Sequence, residues 1–169
     1  MIKRISITGP ESTGKTELTQ SLGKEFNDCW ISEFARDYLE KHGPEYTLDD
    51  VLRMSKGQWK REEKMVNKAN RFLFCDTDFT VTKIWCEVVF GHCPKWIDNK
   101  FRSHRYDLYL LCYPDLEWTP DPLRENPDNR MELFILYKSA LDEINANYRI
   151  VDGKGYERVQ KAVSFVDQC

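Results

Sequence analysis

Gly9-Pro10-Glu11-Ser12-Thr13-Gly14-Lys15-Thr16 lies between a β-branched run, Ile2 to Thr8 (IKRISIT), and an apolar stripe at Leu18, Leu22 and Phe26. The run reads as a short strand ending in the Gly9-Pro10 turn. The four-residue spacing reads as an amphipathic helix that fades at Asn27 and Asp28. Between them, the octapeptide fits G-x-x-x-x-G-K-[ST] at every fixed position. Gly9 and Gly14 permit turns that a Cβ blocks, so the N–H groups of Glu11, Ser12, Thr13 and Gly14 converge on one anion, and the helix opening near Lys15 adds its positive dipole end. Lys15 then sets a compact cation on the β- and γ-phosphates, and the Thr16 hydroxyl ligates Mg²⁺. A chance match in a chain of this length is on the order of one in a hundred, and it would usually lack the flanking strand and helix. The expected ligands are ATP and Mg²⁺.

Working outward, Cys29 to Ile31, Arg71 to Cys75 (ending at Asp76), Tyr106 to Cys112 and Tyr148 to Val151 read as four further strands. Helical stretches alternate with them. Phe34 to Lys41 stops at Gly43-Pro44, and Thr47 with Asp50 caps a helix carrying Leu48, Val51, Leu52, Ser55 and Trp59 into the charged run Lys60 to Lys64, read as a solvated face. Phe134, Tyr137, Leu141 and Ile144 form another stripe, and Tyr156, Val159, Val163 and Val166 mark a last helix. The alternation implies an α/β fold: a five-stranded parallel sheet, right-handed crossovers, helices on both faces, and ligands at the strand C-terminal ends. Tyr113 to Arg130 fits neither class. It holds four of the seven prolines and is long for a connection, which makes it a candidate lid.

Composition narrows the function. The chain has 169 residues with 25 Lys and Arg against 28 Asp and Glu, which suits one domain over 1–169 and gives no broad basic face for nucleic acid. No apolar run approaches the roughly 20 residues that span a bilayer. Six cysteines without a C-x-x-C pair, and no signal peptide, suggest a reduced cytoplasmic protein. Cys86, His92 and Cys93 match no standard zinc spacing and read as packing residues. Neither Asn-Lys pair carries the aspartate of an N-K-x-D guanine reader, and the size leaves little room for a mechanical ATPase. A small-molecule kinase fits.

Phosphoryl transfer needs a carboxylate for Mg²⁺, a group to orient or deprotonate the acceptor hydroxyl, and cations for the migrating charge. Asp76 closes strand three beside the loop and is the first choice for the metal, with helix capping as the alternative; Asp78 would project the same way. Glu33 ends strand two with Arg36 one turn on. These are a base with a charge-assisted partner, or else a surface pair worth under about 1 kcal/mol. Arg124 and Arg130 of the candidate lid could cover the triphosphate, or Arg124 could simply pair with Asp121.

Taken in order, the phosphate loop, Ser32-Glu33-Phe34-Ala35-Arg36, Gly57-Gln58, Phe74-Cys75-Asp76-Thr77-Asp78 and Trp118-Thr119-Pro120-Asp121 with Arg124 resemble the ribosylnicotinamide kinase domain of the bacterial NadR-type NAD-metabolism proteins. The resemblance runs over nearly the whole chain. It implies a P-loop kinase core with a lid and ATP-dependent phosphorylation of the nicotinamide riboside 5′-hydroxyl. The implied catalytic set is Lys15, Asp76, Glu33 and Arg124, with Arg130 on the nucleotide. Glu33, Arg36, Gln58 and Asp78 would meet the nucleoside-like substrate. The family is expected to stack the nicotinamide ring between aromatics, one just before the glutamate, where this chain has Ser32. Trp30, Trp59 and Trp85 are the available rings. Gly153-Lys154-Gly155 with Arg158 is the expected adenine end. The alternatives are a kinase for another nucleoside or small metabolite, and a nucleotide-binding regulatory ATPase.

Overall fold

A computed structural model describes residues 1–169. The elements run β1 (Lys3–Thr8), α1 (Lys15–Glu25), β2 (Cys29–Ile31), α2 (Phe34–His42), α3 (Leu48–Met65), a 3₁₀ turn (Val66–Lys68), β3 (Phe72–Asp76), α4 (Phe79–Phe90), α5 (Lys95–Ser103), β4 (Leu108–Cys112), α6 (Arg130–Glu143), β5 (Tyr148–Val151) and α7 (Gly155–Asp167). The strands lie in the order β2-β3-β1-β4-β5, and every neighbouring pair is parallel. The α/β fold expected from the sequence is the fold observed. The chain leaves β1 toward the β2 edge and then crosses the other way through β3 and β4 to β5. The helix after β1 therefore packs on one face and those after β3 and β4 on the other, and the segments diverge at the C-terminal end of β1. Open α/β sheets bind their ligands at that kind of switch point.

Strand alternation divides the core between the two faces of the sheet. Ile5, Ile7, Phe72, Phe74, Leu108 and Leu110 pack with Leu18 and Leu22 of α1 and Ala162 and Val166 of α7. Leu73, Cys75, Tyr109 and Leu111 face the other way, onto Phe79 and Ile84 of α4 and Phe134 and Leu141 of α6. A third cluster, Leu39, Val51, Met54, Cys86 and Ile97, joins α2 through α5 beside the sheet. No helix is long and apolar enough to cross a membrane.

Three local readings are corrected. No element was read between Asp78 and Arg105, where α4 and α5 form. Helix α4 (FTVTKIWCEVVF) buries Phe79, Ile84 and Cys86 but also carries Val88 and Val89 exposed at the cavity, so it lacks the one-sided stripe that marks a helix in sequence. The run Lys60 to Lys64 is not wholly solvated. Val51, Met54, Ser55, Gln58 and Glu62 form the buried stripe of α3, and Glu62 is its last member at 0% exposure. Tyr156 does not share the buried side of α7; Arg158, Ala162 and Val166 form it, and Tyr156 is exposed.

The buried Glu62 carboxylate accepts the Tyr106 hydroxyl at 2.7 Å on one oxygen and lies 2.9 Å from His104 Nε2 on the other. Removing the hydroxyl leaves a buried charged oxygen without that donor. Tyr106→Phe should therefore cost about 1.5 to 3 kcal/mol in urea denaturation; an unchanged midpoint would mean that Glu62 draws nothing from this bond.

Candidate active site

The phosphate loop is held by its own backbone and side chains and by Arg158 of α7. Gly9 has φ +131°, and a Cβ there would meet the Cys112 carbonyl oxygen at 2.9 Å; Gly14 has φ +74°. Both glycines are therefore required by conformation as well as by motif. The Pro10 carbonyl accepts the Thr13 hydroxyl and Lys15 Nζ, each at 2.7 Å. From α7, buried Arg158 donates Nη2 to the Thr13 carbonyl at 2.7 Å.

Parallel pairing sets Ile7 opposite Asp76, so β3 delivers its last side chain beside the start of the loop. Thr16 Oγ1 donates to Asp76 Oδ2 at 2.6 Å. Asp76 Oδ1 is buried with no partner. Burial raises the Asp76 carboxyl, opposed by the Thr16 hydrogen bond and the Lys15 charge. An orphaned carboxylate oxygen next to a phosphate loop suits a cation. No three His, Cys, Asp or Glu side chains gather as a metal cluster; Thr16 and Asp76 are the oxygen donors that could hold a cation here.

Strand β2 pairs Ile31 with Cys75, so the residues just after it arrive next to Asp76. Glu33 lines the cavity there. Burial pushes its carboxyl from 4.5 up to about 7, with Asp76 adding to the rise while Lys15 and Arg36 oppose it. Arg36 also lines the cavity, but its guanidinium pairs with Asp121 at 3.1 Å and with Glu40 at 3.8 Å. Asp121 therefore serves Arg36 rather than the Arg124 side chain.

Gln58 and Asp78, expected against the substrate, do not line this cavity. Asp78 caps α4, accepting Val81 N–H at 3.1 Å, and also takes the hydroxyls of Ser6, Thr8 and Thr80. The capping considered for Asp76 thus belongs to Asp78, because the chain turns inward at Thr77 (φ +71°) instead of continuing extended. Gln58 bridges backbone groups behind the site.

The segment from Tyr113 to Asn129 has no regular element and lies on the loop. Thr119 N–H donates to Ser12 Oγ at 2.9 Å, and Arg124 Nη1 reaches Ser12 Oγ and the Thr119 carbonyl. Arg130 Nη1 donates to the Ser12 carbonyl at 2.9 Å. Glu11 accepts the N–H groups of Glu125 and Asn126 at 3.1 and 2.9 Å. Arg124 lines the cavity and Arg130 does not. At the root of the segment, Asp115 accepts Gly153 N–H at 2.6 Å and Arg158 Nη1 at 2.9 Å.

The cavity measures about 520 Å³ and its lining is of two chemical kinds. One is the loop with Lys15, Thr16 and Arg124. The other is apolar and aromatic: Leu39, Val81, Ile84, Trp85, Val88 and Tyr137, with Tyr46. Tyr46 and Trp85 meet edge to face at 4.9 Å, Trp85 Nε1 donates to Tyr46 Oη at 2.9 Å, and Tyr46 Oη donates to Glu125 Oε2 at 2.8 Å. Burial holds Tyr46 neutral, pushed up to about 12 with Glu125 contributing. Of the three tryptophans considered, only Trp85 reaches the cavity. Trp30 lies against Gly23 of α1, and Trp59 packs on Trp96 under the Lys100 ammonium. Sequence reading missed Tyr46, Tyr137 and Glu125. Only Tyr46 gave a signal, as an aromatic in a polar turn between Pro44 and Thr47.

A sequence model of an AAA domain family matches residues 4–158. The chain belongs to this AAA domain family. The trifunctional NAD biosynthesis/regulator protein NadR of Escherichia coli K12 is 29% identical over 162 residues, which cover 92% of this chain and 40% of NadR. Its Salmonella typhimurium counterpart is 31% identical over 127 residues, 73% of this chain and 31% of the relative. This AAA domain thus spans less than half the length of these curated relatives. Among solved structures, NadR in complex with NR superposes with TM-score 0.83 at 26% identity, covering 99% of this chain and 50% of that one. NadR in complex with NAD and AMP-PNP gives 0.80, 26%, 99% and 49%. A deoxyadenosine kinase from M. mycoides, at 11% identity and TM-score 0.63 over 98% of this chain and 100% of its own, shares the fold. The resemblance to the NadR-type domain read from the motifs is borne out.

The raised Glu33 carboxyl has a sign that can be measured. Unfolded, Glu33 ionises near 4.5; folded, near 7, so its contribution to stability is full below about pH 4.5 and declines as pH rises through 7. In the metal-free protein, Glu33→Gln should melt close to wild type at pH 5 and higher by about 2 °C or more at pH 8. A gap that does not widen with pH would place Glu33 in an ordinary solvated setting.

Proposed function

We propose that the domain is an ATP-dependent kinase that phosphorylates the 5′-hydroxyl of nicotinamide riboside, giving nicotinamide mononucleotide and ADP. One observation carries the reading. A single cavity is lined by the phosphate loop, by Glu33 and Arg36, and by an aromatic and acidic wall of Tyr46, Trp85 and Glu125. The NadR structure with NR and the NadR structure with AMP-PNP support the two ligand classes.

In this mechanism the loop amides and Lys15 bind and orient the β- and γ-phosphates. Thr16 and Asp76 would hold Mg²⁺, which supplies charge neutralisation on the phosphates. Glu33, poised near neutral pH, accepts the proton of the acceptor hydroxyl. Arg124, already over Ser12, faces the charge that develops during transfer. On the aromatic wall Tyr46 and Trp85 offer ring faces and edges, and Glu125 offers negative charge, to a flat cationic ring. With six free cysteines, the reading also sets the protein in a reducing, cytoplasmic environment.

ADP release measured across a nucleoside panel tests the proposal. Nicotinamide riboside should stimulate it far above the ATP-only rate. Stronger stimulation by another acceptor would reassign the substrate, and none by any would leave a regulatory ATPase. Lys15→Ala should abolish turnover while retaining a cooperative melting transition, because the ammonium lies on a loop and not in the core. Trp85→Ala should raise KM for nicotinamide riboside about tenfold, consistent with about 1 to 1.5 kcal/mol for one ring contact, with KM for ATP little altered; equal losses for both would remove Trp85 from the acceptor site.

A further inference from the structure

Three residues of α3 that take no part in the proposed chemistry meet the Ser32–Phe34 segment from behind. Gln58, buried in the α3 stripe, accepts Phe34 N–H on Oε1 at 2.8 Å and donates Nε2 to the Asp76 carbonyl at 3.3 Å. Phe34 N–H needs such a partner. It is the first amide of α2, and Glu33 at the N-cap position supplies no side-chain cap. One amide therefore joins the start of α2 to the end of β3. Its orientation is fixed, since only oxygen toward Phe34 N–H and nitrogen toward the Asp76 carbonyl satisfies both groups.

The two flanking α3 residues grip the same segment. At Gly57 a Cβ would run into the Phe34 ring, so α3 comes this close only with glycine there. Arg61 donates Nη1 to the Ser32 hydroxyl at 2.9 Å and to the Ser32 carbonyl at 3.2 Å, and its Nη2 pairs with Asp37 at 2.8 Å. Its guanidinium also covers the Phe34 ring, 4.8 Å from the centroid. Ser32, Phe34 and Asp37 are thus all held from one side, and Glu33 is the residue among them that faces the cavity.

We infer that Gln58, with Gly57 and Arg61, is a positioning clamp that fixes where Glu33 presents its carboxylate relative to Asp76. The inference rests on the reading of Glu33 as the base. Link Ser32–Glu33 is two residues of non-helical chain between β2 and α2, and β2 itself is only three residues long at the sheet edge. Such a link has little of its own to set the carboxylate within the few tenths of an ångström that proton transfer requires. The clamp supplies that constraint, and ties it to the same strand end that carries Asp76.

A double-mutant cycle separates positioning from packing. Gln58→Met keeps the length of the side chain and neither bond. It should lower kcat about 10- to 100-fold with KM for ATP within about twofold, and the Glu33→Gln, Gln58→Met pair should be no slower than Glu33→Gln alone. Hydrogen exchange on the chain without ligands should show Phe34 N–H at least about tenfold faster in Gln58→Met, with Ile5 and Ile7 N–H unchanged. Losses that multiply in the pair, an unaltered kcat, or an unchanged Phe34 exchange rate each overturn the clamp. Should Gln58→Met fail to fold, Arg61→Met runs the same cycle from a half-exposed position, with an expected kcat loss of about three- to tenfold. A Glu33→Gln enzyme as fast as wild type overturns the base reading and the clamp together, whereas a slow Glu33→Gln enzyme with multiplying losses overturns the clamp alone.

Discussion

Parallel pairing of β1 with β3 in the register Ile7 to Asp76 is the constraint from which the site follows. It places a carboxylate within hydrogen-bond reach of Thr16, the last residue of the phosphate loop, across 60 residues of sequence. Side chains alternate along a strand, so a slip of one residue would bring Cys75 to that face and turn Asp76 onto the other. The pattern of β3 forbids the slip. Phe72 and Phe74 fill one face of the sheet and Leu73 and Cys75 the other, all essentially inaccessible to water. Hydrophobic burial along the strand therefore fixes the position of the carboxylate at its end.

That placement has an electrostatic cost. Asp76 and Glu33 are two carboxylates near each other in a region poor in water, and burial disfavours the charge on both. Lys15 offsets part of this repulsion, as does the Thr16 hydroxyl at Asp76. One Asp76 oxygen still has no donor. A buried group left unsatisfied weakens the empty protein, and a bound cation with its phosphates is the ligand chemistry that would relieve it. Stability given up at this end of the sheet is affinity reserved for what binds there.

The β1, loop and α1 unit was legible because each part has a local cause: β-branched residues for the strand, two glycines for the turn, four-residue spacing for the helix. Asp76 and Glu33 were legible for a related reason, as polar residues that end apolar runs. What sequence concealed depends on which surfaces meet. Glu62 looks like one charge among several in Lys60 to Lys64, and only the approach of Tyr106 and His104 makes it a core residue. Its spacing from Val51, Met54 and Gln58 was the available sign. Tyr46 and Trp85 lie 39 residues apart and become one aromatic wall through the packing of α4 beside the Pro44 to Thr47 turn. Gln58 was read from its motif as touching substrate. Its real partners are backbone groups, which no side-chain pattern records.

A gradient of constraint runs through the cavity. The loop is seated on strands whose side chains are buried on both faces, and its carbonyls are held by Lys15, the Thr13 hydroxyl and a buried arginine. The Tyr113 to Asn129 segment above it hydrogen-bonds two loop residues, Glu11 and Ser12, through bonds that are exposed or half-buried, and sets Leu116 against Gly14. Contacts of that kind contribute at most about 1 kcal/mol each in water, and the apolar packing of the segment comes from Tyr113, Leu116 and Leu123. The lower surface therefore keeps its geometry whether or not the upper one is in place. Asp115 and Arg158 anchor the root of the segment to the Gly153 turn and the Thr13 carbonyl. Lys15, Asp76 and Glu33 stand on the sheet and loop side of the cavity and Arg124 on the covering segment, so the groups proposed for transfer come from both sides.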